Sequence, residues 1–174
     1  MGTRLFPFVL AATVFVLDRI TKAFIKGHLS PSDTVTVIPG FFNIVHSENP
    51  GIAFGMLASA PSFWRDLFLI AFSLSVLVFI STLLLQPERT AGHGWFLKAG
   101  LALILGGAFG NLYDRIVNKT VTDFIEVHAQ ISGSSYYFPA FNVADSAITV
   151  GACLLLLDMW RTRDRRGHAA EARR

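Results

Sequence analysis

From Leu67 to Leu85 the chain runs for nineteen residues without a charge, and a stretch of that kind constrains what the rest can fold into. A helix rises about 1.5 Å per residue, so roughly 20 residues cross the ~30 Å hydrocarbon layer of a bilayer. Phe63, Trp64, Arg65 and Asp66 precede the run, aromatic and charged groups suited to a membrane interface. A hydrophobic fraction of 52% and a mean hydropathy of +0.50 exceed what a soluble domain of 174 residues hides.

Three more stretches approach spanning length: Leu5 to Ile25, Trp95 to Tyr113 and Pro139 to Trp160. With Phe63 to Leu85 they predict an all-α integral membrane protein with four transmembrane helices, folded as one domain over residues 1–174. The first span crowds Asp18, Arg19 and Lys22 into its last third, which places those charges near an interface. It is longer than a signal-peptide core and lacks a small-residue cleavage site before Asp18, so it is read as retained.

An even number of spans puts both termini on one side. Nine Lys and Arg residues, most of them in the basic tail 161–174, flank that side, against four to six on the other. The excess places both termini in the cytoplasm. Attraction to anionic lipid explains the tail better than nucleic-acid binding, because no groove-reading element accompanies it. The single cysteine, Cys153, lies in the fourth span, and the five histidines are scattered, so neither a disulfide framework nor a metal site is expected.

The two outer segments have strand character. Thr34 to Ile38 alternates and ends at Pro39-Gly40, and Phe41, Phe42, Ile44 and Val45 follow, which suggests a hairpin on the membrane surface. Thr120 to Val127 reads as a strand, followed by a polar turn at Ser132 to Ser135 and the triplet Tyr136-Tyr137-Phe138. Gly106 and Gly110 in the third span form a small-xxx-small pair suited to close helix packing.

Acids near hydrocarbon are costly, roughly 2.5 to 3.5 kcal/mol at mid-membrane, and mark function by default. Asp123 and Asp145 are 22 residues apart across a segment that leaves the membrane and returns on the same side, so they can meet. Two carboxylates in a partly dry site share a proton: the ionised one can activate water while the protonated one polarises a carbonyl. Locally, Asp145 also reads as an acid at the third helical position behind an Asn142 cap, and Asp123 as a polar strand-end residue. Asp18 and Lys22 are four apart, an ion pair that makes the helix end tolerable or a catalytic pair. Asn111 with Asp114 and Arg115 could hold a substrate backbone or form a helix terminus with an ion pair. Glu126 and His128 read as solvated loop residues, and Asp158 as remote from the outer rim.

Taken together, these residues resemble the bacterial lipoprotein signal peptidase (signal peptidase II) family. The carriers, in order, are Asp18 with Lys22; Asn49-Pro50-Gly51-Ile52-Ala53-Phe54; Gly106 to Arg115; Val121-Thr122-Asp123-Phe124; and Phe138 to Ser146. They cover the chain apart from the arginine tail. Pro50 stands where many members have threonine, which removes an amide and fixes φ. The resemblance implies a small extracytoplasmic β-sheet, a cradle built from the two outer loops, above the four helices. It implies an aspartic endopeptidase of the inner membrane that removes signal peptides from diacylglyceryl-modified prolipoproteins, cleaving before the lipidated cysteine at the periplasmic face. Asp123 and Asp145 then correspond to the catalytic dyad, Asn49, Gly51, Asn111, Arg115 and Asn142 to substrate-binding residues, and Asp18 and Lys22 to supporting ones. The implied partners are lipid-modified prolipoproteins and membrane lipids, with no nucleic acid, obligate protein partner, metal or cofactor. Two other readings compete: a small transporter or proton conductor relaying protons through intramembrane acids, and a helical scaffold associating through Gly106 and Gly110.

Overall fold

The structure is a computed structural model that describes residues 2–51, 61–90, 94–131 and 134–171. In chain order it comprises α1 (Gly2–His28), β1 (Thr34–Ile38), β2 (Phe42–Asn49), α2 (Ser62–Leu85), a 3-10 turn (Pro87–Thr90), α3 (Trp95–Val117), β3 (Val121–Ile131), β4 (Ser134–Tyr137) and α4 (Val143–Glu171). The motif residues Ile52 to Phe54 and the turn residues Ser132 and Gly133 lie outside the described residues, as do the tail side chains beyond Thr162.

Among the described residues three helices are long and apolar enough to cross a membrane: Ser62–Leu85, Trp95–Val117 and, within α4, Val143–Thr162. Their burial divides the labour among them. α2 has a mean hydropathy of 2.6 over its most apolar window, yet only 17% of that window is buried, whereas 56% is buried in α3. A helix apolar all round and exposed all round has hydrocarbon as its solvent, while α3 forms the centre, packed against α1, α2 and α4. α1 is 27 residues long. Its Asp18 and Lys22 are fully buried rather than offered to lipid.

Glycines on α3 permit this centre. A Cβ on Gly106 would collide with the Ala11 backbone of α1, one on Gly107 with the Ala144 carbonyl of α4, and one on Gly110 with the Asp18 carboxylate. Gly106 and Gly110 therefore serve packing, as their spacing suggested. Gly110→Val is expected to destabilise the protein by about 1–3 kcal/mol through overpacking and to lower its melting temperature in detergent. An unchanged melting curve would contradict the packing described here.

The four strands form one antiparallel sheet in the order β1-β2-β3-β4. β1 and β2 join through Pro39-Gly40, with Gly40 at φ 75° and Phe41 N–H donating to the Ile38 carbonyl at 3.1 Å; proline then glycine at the two central positions is type II turn chemistry. The expected hairpin is present. Between Ile44 and Ser47 the β2–β3 register shifts, from Ile44↔Ile125 to Ser47↔Asp123, a bulge of the kind that re-aims a strand end.

Glu126 and His128 depart from expectation. Neither is a solvated loop residue: β3 runs on to Ile131, Glu126 accepts a hydrogen bond from Asn43 at 2.9 Å, and His128 is buried and stacks on Tyr137. The fourth helix starts at Val143 rather than Pro139 and runs past Trp160 to Glu171. Residues before it are held in an isolated bridge, Ile125↔Phe141, with hydrogen bonds at 2.8 and 3.0 Å. That bridge ties the start of α4 to β3 and positions everything that follows.

Candidate active site

The first turn of a helix leaves backbone N–H groups without intrahelical partners, and α4 satisfies them with residues that also build the site. The Asn142 side-chain Oδ1 accepts the Asp145 N–H at 2.9 Å, while the Asp145 Oδ2 accepts the Asn142 N–H at 3.2 Å. This is a reciprocal capping box. The neighbouring Ala144 N–H donates to Asp18 Oδ1 of α1 at 3.1 Å.

Asn142 has a second function. Its Nδ2 donates to Asp123 Oδ1 at 2.7 Å, so one fully buried asparagine touches both acids. Asp123 Oδ2 accepts from Asn49 Nδ2 at 3.0 Å, and Asp145 Oδ1 from Asn111 Nδ2 at 2.7 Å. Asn49 also folds its own loop, its Oδ1 accepting the Gly51 N–H at 2.9 Å. The turn passes over Pro50, whose missing amide is not needed there.

Asp123 and Asp145 line one cavity of about 460 Å³ together with Asn49, Gly51, Asn111 and Arg115. Val121, Phe138 to Phe141, Ile148 and Val150 make much of the remaining wall apolar. Arg115 Nη2 reaches the Gly51 carbonyl at 3.4 Å. Of the expected binding residues only Asn142 stands behind the wall, supporting the acids instead of facing the space. Asp123 is 3% exposed. Burial, and then the charge of Asp145, push its carboxyl up to about 7 against the pull of Asn49, Asn142 and Lys22.

Behind the cavity lies a buried ionic cluster. Lys22 Nζ stands 2.9 Å from Asp18 Oδ2, 2.8 Å from Asp114 Oδ2 and 3.0 Å from Asn111 Oδ1. Arg19 Nη1 reaches Asp114 Oδ1 at 2.6 Å, and Asn118 Nδ2 reaches the same oxygen at 2.9 Å. The Asp18–Lys22 pair is present as spacing suggested. Asp114, expected beside Arg115, instead pairs with two cations of α1. Arg19 is the member that sequence reasoning missed; it is 95 residues from its partner, and only the need of an intramembrane charge for a counter-charge pointed to it.

A second brace holds β2 to β3. Glu48 accepts from Thr120 at 2.6 Å and Thr122 at 3.2 Å, and meets His46 at 3.0 Å and Lys26 at 3.4 Å. Burial works against its ionisation, but these hydrogen bonds and the Lys26 charge outweigh it and hold the carboxyl below its ordinary range. Thr122, fully buried beside Asp123, is thereby fixed.

The family model for signal peptidase (SPase) II matches residues 10–161. The chain belongs to the signal peptidase II family. All the candidate site residues fall within the match, and the end of the arginine tail falls outside it. The chain is 45% identical over 153 residues to a lipoprotein signal peptidase of Solibacter usitatus, covering 88% of this chain and 89% of that one. It is 46% identical over 157 residues to a lipoprotein signal peptidase of Pseudomonas aeruginosa, covering 90% and 88%. Two solved structures described as bacterial membrane enzymes, determined by the in meso method, superpose with TM-scores of 0.77 and 0.72 at 28% and 30% identity. The first pairing covers 95% of this chain and 92% of the other, the second 91% and 93%. Membership makes this chain a membrane peptidase.

Proposed function

We propose that this member of the signal peptidase II family is an aspartic endopeptidase of the bacterial inner membrane that cleaves diacylglyceryl-modified prolipoproteins immediately before the lipidated cysteine. The observation that carries the reading is the meeting of Asp123 and Asp145 on one cavity, bridged by Asn142. Asp145, whose two oxygens accept from Asn111 and the Asn142 amide, acts as the base on a water. Asp123, with its carboxyl near 7, carries the shared proton and polarises the scissile carbonyl. Water attack gives a tetrahedral gem-diol, which collapses as a proton passes to the leaving amine. Asn49, Gly51, Asn111 and Arg115 hold the substrate backbone, and the apolar wall suits the lipid chains.

The chain folds as one membrane-embedded domain with four crossings, α1 being the fourth. Its termini are cytoplasmic and the sheet and dyad periplasmic, at the depth where a lipidated substrate has its headgroup. A proton relay is disfavoured because Asp18 and Asp114 are already paired with Lys22 and Arg19 at the dyad's end of the bundle.

Cleavage of a lipidated prolipoprotein by the purified protein, read as a gel shift, tests the reading; equal cleavage of the unlipidated form would overturn the substrate assignment. The pH dependence has a definite sign. A carboxyl raised to about 7 is protonated below that pH, so kcat/KM, which reports the free enzyme, is expected to fall as pH rises through about 7. A flat profile between pH 6 and 9 would contradict the proton assignment. Asp158, thirteen residues along α4 from Asp145 and therefore about 20 Å away, is outside the site, and Asp158→Asn is expected to keep most of the activity in the same assay.

A further inference from the structure

Asn111 stands between two groups of opposite demand. On one side is Lys22 Nζ, 3.0 Å from the Asn111 Oδ1; on the other is Asp145 Oδ1, 2.7 Å from the Asn111 Nδ2. An ammonium has three donors and no acceptor, so it tolerates only the oxygen end of a carboxamide. It donates to Asn111 Oδ1 and is ion-paired with Asp18 and Asp114 at 2.9 and 2.8 Å, and both Lys22 and its carboxylate partners are fully buried. Turning the Asn111 amide over would set its NH2 against the ammonium and its oxygen against a carboxylate oxygen, two repulsive contacts in place of two hydrogen bonds.

We propose that Lys22 is a positioning residue for the dyad: by donating to Asn111 Oδ1 it fixes the carboxamide so that only Nδ2 faces Asp145. That orientation presents a donor rather than a second oxygen to Asp145 Oδ1, which suits Asp145 to the base's part in the pair. The inference rests on the aspartic-peptidase reading and deepens it, giving the buried ion cluster a catalytic purpose beyond helix packing. The cluster suits the task because it is charge-balanced: Lys22 and Arg19 offset Asp18 and Asp114, so the lysine stays where the amide needs it. Lys22 does not line the cavity and acts only through Asn111. A compact ammonium also suits three acceptors converging on one point better than a planar guanidinium would.

A purely structural lysine and a positioning lysine differ in what a folded variant without the lysine still catalyses. Asp18→Asn/Lys22→Met removes one charge of each sign, and asparagine at position 18 still offers an oxygen to the Ala144 amide. The charged groups facing Asp145 are Asp123 of β3 and Arg115 of α3; behind Asn111 stand Asp18, Arg19 and Lys22 of α1 and Asp114 of α3. With Lys22 gone, only the longer contact from Asn142 Nδ2, at 3.4 Å, still holds the Asn111 oxygen, too weak a restraint to keep the carboxamide from turning its oxygen toward Asp145. On a lipidated prolipoprotein the double variant is therefore expected to lose about tenfold to hundredfold in kcat with KM within about twofold.

Asp114→Asn/Lys22→Met, which drops the other carboxylate, is the second variant, and thermal melting in detergent establishes that each is folded. A folded double variant with wild-type kcat overturns the proposal. Failure of both to fold overturns it as well, since the lysine's contribution would then be to folding. Wild type and Asp123→Asn measured alongside separate the outcomes: if Asp123→Asn still cleaves, the aspartic reading itself falls, whereas an inactive Asp123→Asn beside fully active lysine variants removes only the role of Lys22.

Discussion

Asp123→Asn and Asp145→Asn are each expected to reduce cleavage of a lipidated prolipoprotein by about 10³-fold or more, and the double variant to be no worse than either alone, because groups acting as one unit do not add. The two substitutions fail for different reasons. Asparagine at 145 can still accept the Asn142 amide through its oxygen and so keep half of the capping box, but it cannot take a proton from water and it turns an NH2 toward Asn111. Asparagine at 123 can still accept from Asn142, yet has no proton to share and sets its NH2 against Asn49. Helix content is expected to persist in both, because Asp123 lies on β3 and Asp145 adds one hydrogen bond, to Asn111, to an α3–α4 packing that extends along both helices. A gel-shift time course with circular dichroism on the same samples checks this; appreciable cleavage by either variant would count against the dyad.

Asn142→Ala is expected to have the next largest effect. It removes the donor to Asp123 and the cap on the Asp145 amide together, and its own site is completely buried, so water does not replace what is lost. Loss of the cap alone costs about 0.5–2 kcal/mol, and kcat is expected to fall about a hundredfold as the two acids lose their common anchor. Asn142→Asp separates the two functions: it still caps the helix but brings a third carboxyl against Asp123, so stability is expected to recover while activity does not. Recovery of activity in Asn142→Asp, or an unimpaired Asn142→Ala, would show that the bridge between the acids is unimportant. Melting curves and kcat on the same preparations distinguish the cases.

What was legible in the chain was what local order specifies. The uncharged run of α2 dictates its own helix, Pro39-Gly40 marks the hairpin turn, and Asn142 with Asp145 three residues on gives the capping box, since each signal sits within a few residues. The meeting of Asp123 and Asp145 was legible more coarsely, from topology. The ladder that holds them was not. Lys22 finds Asn111 across 89 residues, and Arg19 finds Asp114 across 95; these contacts depend on how closely α1 approaches α3, which the glycine positions permit without specifying the register. The β2 bulge was hidden because period-two patterning blurs where one residue is inserted. Glu126 and His128 were misread as solvated because polar residues in a strand lose their alternation signal when neighbouring strands supply Asn43 and Tyr137. The arginine tail suggested an end to α4, but charged residues are good helix formers once clear of the membrane, and the helix continues to Glu171.

The central claim is that Asp123 and Asp145 hold one proton between them, and an infrared titration of the purified protein, following the protonated-carboxyl stretch, tests it most directly. The account expects one carboxyl to titrate near pH 7, to vanish in Asp123→Asn, and to titrate at distinctly lower pH in Asp145→Asn, where the neighbouring charge is gone. A spectrum with no carboxyl titrating between pH 5 and 9, or one whose midpoint ignores the loss of Asp145, would contradict it.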